Sequence, residues 1–291
     1  HHIRGHLAAA YLADETLEPP FVTLLASGGH TAVLYTERAD KFRVLGGTLD
    51  DAAGEAFDKV ARVLSLPYPG GPHVEALARE GNSVVPMPKM LKGHGGYDFS
   101  YSGLKTAVIN YVHTKEQKGE AWSRADVAAS FQSAALDILV QKTVEGARET
   151  GANTVTAGGG VIANGYLREK LAAACREAGL RLVLPVKKHC TDNAAMIASE
   201  GLVQYRLGRF SPLSLNAEAQ FLRILLTDRL PVFIISYEEQ QRRCGRIVSC
   251  RSAFFLRACR APSFHLPALL SHNMGNASAC LRGRFSCYKH F

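Results

Sequence analysis

The stretch that most limits the fold is residues 154–168, Thr-Val-Thr-Ala-Gly-Gly-Gly-Val-Ile-Ala-Asn-Gly-Tyr-Leu-Arg. Val155, Thr156 and Ala157 read as the end of a short buried strand. Gly158-Gly159-Gly160 then lets the backbone come close to a ligand, because no Cβ stands in the way. A helix begins from Tyr166, with Leu167, Leu171 and Cys175 spaced i, i+4, i+8 on one face. Arg168, Glu169, Lys170, Arg176 and Glu177 lie off that stripe, and Gly179 is its stop. Strand, glycine turn and helix in that order point to an α/β chain and aim free N–H groups at an anion or a nucleotide. Such turns are also common where nothing binds, so function has to come from the neighbouring motifs.

The chain of 291 residues is 47% hydrophobic, ordinary for a soluble globular protein. No apolar run approaches the roughly 18–20 residues of a membrane span, and no targeting segment is visible. The chain opens at His1-His2 without a methionine and inside a motif, which gives the expectation of a fragment. Its formal charge of +8 is local: residues 220–291 hold 11 Lys and Arg against 3 acids, leaving residues 1–219 neutral. That tail also holds Cys244, Cys250, Cys259, Cys280 and Cys287, with no C-x-x-C spacing for zinc. A basic nucleic-acid-binding extension and foreign sequence are the two readings of it, and the abrupt change of composition favours the second. The remaining cysteines, Cys175 and Cys190, suit a reducing, cytoplasmic setting.

Residues 2–12 read as a helix on which His2 and His6 project from the same face, close enough to share a metal ion. No Glu follows the first His, so the H-E-x-x-H protease arrangement is absent. Residues 21–35 read as two strands joined by Ser27-Gly28-Gly29, a turn that serves a hairpin or presents N–H groups to a phosphate. A third strand follows at residues 42–45. Residues 48–62 form a helix capped by Asp50 or Asp51, with Asp51, Glu55, Asp58 and Arg62 on one face. That face is a solvated stripe with Glu55–Lys59 and Asp58–Arg62 pairs, or a carboxylate grip on ligand hydroxyls. Gly70-Gly71 again permits close backbone approach, and residues 66–150 read as a mainly helical insertion. A strand at residues 181–185 leads through Lys187-Lys188-His189-Cys190-Thr191-Asp192-Asn193 into a helix to Arg206. Thr191 or Asp192 is its N-cap, or Asp192 is an oxygen ligand, with His189 and Cys190 as rivals.

Taken in order, the blocks H-H-x-x-G-H, L-x-S-G-G-H-T, T-L-D-D-A-A-G-E-A-F-D-K-V-A-R, Y-P-G-G-P, F-S-Y-S-G-L-K-T, G-G-V-x-x-N and C-T-D-N-A-A-M-I-A resemble the universal threonylcarbamoyltransferase family over about residues 1–216. That family makes N6-threonylcarbamoyladenosine in tRNA. The resemblance implies a two-lobed α/β fold of the actin/Hsp70/sugar-kinase group, with residues 21–216 as the second lobe and residues 1–20 as a remnant of a first lobe that is mostly missing. It implies one divalent metal, iron or zinc, on His2, His6 and Asp192. It places the substrate, threonylcarbamoyl-AMP, against Leu25, Ala26, Ser27, Gly28 and Gly29, with further contacts from Asp58, Gly71 and Asn164. Ala26 stands where many relatives have Val. Implied partners are tRNA, a paralogous subunit, a small ATPase and the enzyme that makes the adenylate, with no membrane. With half the expected cleft missing, the chain alone is expected to be inactive. A non-catalytic scaffold, a metallopeptidase and a sugar or acid kinase of the same fold group are the competing readings. No general base is named by these residues.

Overall fold

The computed structural model describes residues 1–91 and 96–216, so the expected basic tail, residues 217–291, lies outside the described residues. Five strands form one mixed sheet in the order β3-β2-β1-β4-β5. They are β1 (Phe21–Ala26), β2 (Thr31–Arg38), β3 (Lys41–Gly47), β4 (Thr154–Gly158) and β5 (Arg181–Val183). β1 is central, runs antiparallel to β2 and parallel to β4, and is buried along its whole length. That position explains its mostly apolar sequence, since both faces are covered. Where a polar residue does enter, it is matched: the Thr23 and Thr156 hydroxyls are 2.7 Å apart across the parallel pair.

Among the described residues, seven α-helices surround the sheet: α1 (His2–Ala8), α2 (Ala53–Val63), α3 (Gly70–Ala78), α4 (Ser102–Lys118), α5 (Arg124–Thr150), α6 (Gly165–Glu177) and α7 (Ala194–Arg206). Side chains alternate along β1, so its two faces feed different layers. Val22, Leu24 and Ala26 join Val33, Phe57, Phe131, Leu139 and Leu167 in the main core. Leu25 joins Leu34 with Ile3 and Leu7 of α1 on the other side. The resulting sandwich of helix, sheet and helix is the α/β class read from the sequence. Among the described residues, no helix is long and apolar enough to cross a membrane.

The expected cap of α2 is corrected. Its N-cap is Ala52, with no side-chain bond, and Thr31 Oγ1 accepts from Ala53 N at 2.8 Å instead. Both aspartates are engaged elsewhere. Asp50 accepts from Tyr101 N at 2.7 Å and from Ser102 Oγ at 2.8 Å, serving the start of α4. Asp51 pairs with Lys59 at 2.6 Å and Lys105 at 3.6 Å. The Glu55–Lys59 pair forms at 2.8 Å, whereas the Asp58 carboxylate turns to Gly70 N at 2.7 Å and not to Arg62. The cap of α7 is corrected too: neither Thr191 nor Asp192 but Asn193 takes that place, its Oδ1 accepting from Met196 N at 2.9 Å. Ser123 and Asn164 cap α5 and α6 through their side chains.

Candidate metal centre

Because α1 turns once in 3.6 residues, His2 and His6 stack on one side of it. Their rings meet edge to face with centroids 4.7 Å apart. Asp192 arrives from much further along the chain, in the residue before the Asn193 cap of α7. Its Oδ1 lies 3.7 Å from His2 Nε2 and 3.2 Å from His6 Nε2. One ligand atom from each of the three falls within 4.8 Å of the others, and among the described residues this is the group of His, Cys, Asp or Glu able to hold a metal ion. His6 is fully buried, while the Asp192 side chain is 73% exposed, so the cluster opens to solvent on one side.

Electrostatics agree with a ligand role for His6. Burial, reinforced by the neighbouring His2 and opposed by Asp192, holds its imidazole below the usual histidine range. The ring is therefore neutral near pH 7, with a lone pair to offer. Both ring nitrogens are buried without a hydrogen-bond partner; the approach to Asp192 lacks hydrogen-bond geometry. An unmatched buried polar group costs about 1–3 kcal/mol, and a cation shared with Asp192 would remove that cost at Nε2, the nitrogen that faces the carboxylate. His30 stands beside the cluster, its ring centroid 5.9 Å from that of His2, and burial lowers its pKa as well.

The rival ligands are placed elsewhere. Cys190 is buried, with Sγ 3.7 Å from Pro185 O and 3.8 Å from Arg168 Nη1, and burial raises its pKa so that it stays a thiol. His189 contributes its carbonyl to Asn193 Nδ2 at 3.3 Å and is not in the cluster.

Of the remaining residues expected at the site, Leu25, Ala26, Ser27, Gly28 and Gly29 fall at the carboxyl end of β1, where open α/β sheets bind ligands, while Asp58, Gly71 and Asn164 lie on α2, on α3 and at the cap of α6. Leu25 and Ala26 end β1, and Leu25 pairs with Gly158 at the end of β4. Ser27 closes the following turn, its N donating to His30 O at 2.8 Å and its Oγ accepting from His30 N at 3.0 Å. A Cβ on Gly28 or Gly29 would meet open space. The amino end of α2 abuts this turn, where a Cβ on Gly54 would lie 2.8 Å from Ser27 O. One turn further along α2, Asp58 holds the start of α3, and Gly71 there also faces open space. Asn164 is buried and occupied by the protein: Oδ1 accepts from Leu167 N at 3.0 Å and Nδ2 donates to Gln132 Oε1 at 2.9 Å.

The glycine turn at 158–160 differs from its sequence reading. A Cβ on Gly158 would stand 2.7 Å from His6 O, and one on Gly159, at φ +101°, would stand 2.2 Å from Ala26 O. These two glycines admit other backbone, and a short 3-10 turn at Gly160–Ala163 separates them from α6. Sequence reasoning also passed over His30, although it directly follows Ser27-Gly28-Gly29, and Arg4, which lies between the two histidines.

Sheet order and site together describe an α/β protein with two imidazoles and a carboxylate converging beside a hairpin turn at the carboxyl edge of a mixed sheet. The family model for tRNA N6-adenosine threonylcarbamoyltransferase matches residues 1–199. The chain belongs to that family. It is 52% identical over 218 residues to the enzyme of that name from Moorella thermoacetica, covering 75% of this chain and 64% of that protein. The Geobacillus thermodenitrificans relative is 50% identical over 218 residues, with 75% and 64% covered. The chain thus spans 64% of the length of the relatives it matches. Among solved structures, full-length HypF in its phosphate- and nucleotide-bound form superposes with a TM-score of 0.56 at 14% identity, over 71% of this chain and 42% of that one. T. kodakarensis HypF gives 0.54 at 16%, over 70% and 36%. At such identity the likeness speaks to the fold alone.

Proposed function

We propose that the chain transfers the threonylcarbamoyl group of threonylcarbamoyl-AMP to the N6 amine of the adenosine beside the anticodon of tRNA, with one divalent cation on His2, His6 and Asp192. The observation that carries this reading is the meeting of those three side chains, with His2 against His30 directly after the Ser27-Gly28-Gly29 turn. Family membership supports the reaction class. Two imidazole nitrogens, one carboxylate oxygen and an open side suit iron(II), the favoured ion, or zinc. The unmatched Nε2 of buried His6, which faces Asp192, fits such a load. When bound, the cation supplies Lewis acidity toward the threonylcarbamoyl group.

The chain's own residues do the rest. The turn after Ala26 offers the backbone N–H groups of Gly28 and Gly29 to the phosphate, with the Ser27 N–H held by His30 O and Leu25 and Ala26 fixing the base of the turn in the sheet. Asp58 accepts from ribose hydroxyls and Gly71 lines the nucleotide, while Asn164 supports the site through its bonds to Leu167 N and Gln132 Oε1. The amine nitrogen bonds to the carbamoyl carbon as the bond from that carbon to the phosphate oxygen breaks. AMP leaves with the electron pair, and the amine gives up one proton. Holding both reactants in line supplies part of the roughly 7–11 kcal/mol that positioning can contribute.

The two-lobed actin/Hsp70/sugar-kinase assignment, with this chain as the second lobe, belongs to the same proposal and is supported by the mixed sheet and the HypF likeness. So do the paralogous subunit, the small ATPase and the adenylate-making enzyme as partners. A cytoplasmic setting is supported by Cys175 and Cys190, both free thiols among the described residues. The test combines the full chain, alone and with those partners, with iron(II), threonylcarbamoyl-AMP and tRNA. AMP release matched by modified nucleoside, and abolished by Asp192→Ala, supports transfer. Metal and adenylate binding without modified nucleoside, even with the partners present, overturns it.

A further inference from the structure

We infer that Arg4 is a positioning residue for this centre: acting through Glu200, it sets the separation between the His2–His6 pair and Asp192. The inference rests on the proposed cation site and concerns two residues that ligate nothing. Arg4 lies two positions from each histidine, so on a 3.6-residue helix its side chain leaves the opposite side of α1. α1 has only 7 residues, too few to hold its own direction in water. Its roll and tilt therefore come from what its back packs against.

That back is fixed at three points by one planar group. Arg4 Nε donates to Glu200 Oε1 at 2.5 Å, Nη1 to Asp40 O at 3.3 Å and Nη2 to Ala39 O at 3.1 Å. The guanidinium also lies over the Phe42 ring, 5.7 Å from its centroid. Arg4 and Glu200 are both buried, and Glu200 Oε1 takes a second bond from Gln204 Nε2 at 2.7 Å. The fork thus joins α1 to the β2–β3 turn and to α7, the helix whose amino end carries Asp192. Flanking contacts make the joint close. Ser199 Oγ donates to Ala8 O at 2.8 Å, and a Cβ on Gly5 would come within 2.8 Å of Ile197 Cδ1. At the far end of α7, Asn193 binds Met196 N at 2.9 Å and Thr191 O at 2.7 Å, so the loop bearing Asp192 moves with the helix.

A buried ion pair is by itself weak evidence for stability, and its use here is geometric. Lysine at position 4 could reach Glu200 but could not hold both turn carbonyls, because it lacks the planar fork. Two apolar side chains would fill the space without setting the angle.

The test compares the full parent chain with Arg4→Lys and with the paired Arg4→Met/Glu200→Met, which leaves no lone buried charge. Cobalt(II) is titrated anaerobically while its visible absorption is followed, and thermal unfolding is recorded without metal. We expect cobalt affinity to fall about 10–100-fold, the range for residues that orient metal ligands, with an altered visible band and a melting midpoint within a few degrees of the parent. A folded variant that binds cobalt within about twofold of the parent overturns the positioning role. A parent chain that binds no cobalt overturns the cation site itself, and the inference with it.

Discussion

Gly158 lies against the carbonyl of His6 so closely that a Cβ there would stand 2.7 Å from the oxygen. The strand end and the histidine helix are therefore in backbone contact, and the missing side chain of one residue fixes where the other's imidazole sits. We expect Gly158→Ala to push α1 off the sheet, costing about 1–3 kcal/mol as an overpacking change and weakening zinc binding. Gly160→Ala, whose Cβ would meet only Thr191 Cγ2 at 3.7 Å, should leave both within error. Urea unfolding and zinc titration of the two variants check this; equal losses would refute it.

Asp50 links the start of α4 to the segment after β3. Removing its carboxylate in Asp50→Ala takes acceptors from Tyr101 N and Ser102 Oγ. The expected loss is about 0.5–2 kcal/mol in urea unfolding, the range for a helix cap, with adenylate binding unaffected. Were Asp50 an α2 cap, as the sequence suggests, the same loss would appear, so the location has to be read by hydrogen exchange. Faster exchange is expected at the start of α4, with that of α2 unchanged.

Asp40 sits in the β2–β3 turn that Arg4 also grips. Hydrogen bonding from Arg38, with Arg209 adding to it and desolvation opposing, lowers its carboxyl to about 2. Since the folded value lies below the unfolded value of 3.8, the contribution to stability is fully present above about pH 4 and fades as pH falls toward 2. Its arginine partners are largely exposed, which limits the effect to about 1 kcal/mol or less. Asp40→Asn should melt below the parent at pH 5, and the gap should narrow as pH falls toward 2 and close below it. A gap constant across that range would contradict the assignment.

The fold class was legible because hydrophobic period and glycine punctuation are local. Val155 to Ala157, the stripe Leu167, Leu171 and Cys175, and the turn at Ser27-Gly28-Gly29 all carry their structure in their own spacing. The His2–His6 pair was legible for the same reason, since i, i+4 fixes a common face. Asp192 could be joined to it only by resemblance, because nothing in local spacing brings residues so far apart together. Caps were misread where a partner distant in sequence competed. Asp50 is near α2 in the chain but bonded to the start of α4, and Thr31 supplies the bond that α2 needed. The glycines at 158 and 159 were read as room for a ligand, when they are room for His6 and Ala26. Period alone does not say what an absent Cβ makes way for.

The most direct test of the central claim is calorimetric titration of zinc into the metal-free full chain and into Asp192→Ala. The substitution removes a side chain that is 73% exposed, so folding should be preserved. The account predicts one ion per parent chain, a melting midpoint that rises with zinc as expected for a ligand of the folded state, and loss of both in the variant. Undiminished stoichiometric binding by Asp192→Ala, or none by the parent, would contradict it.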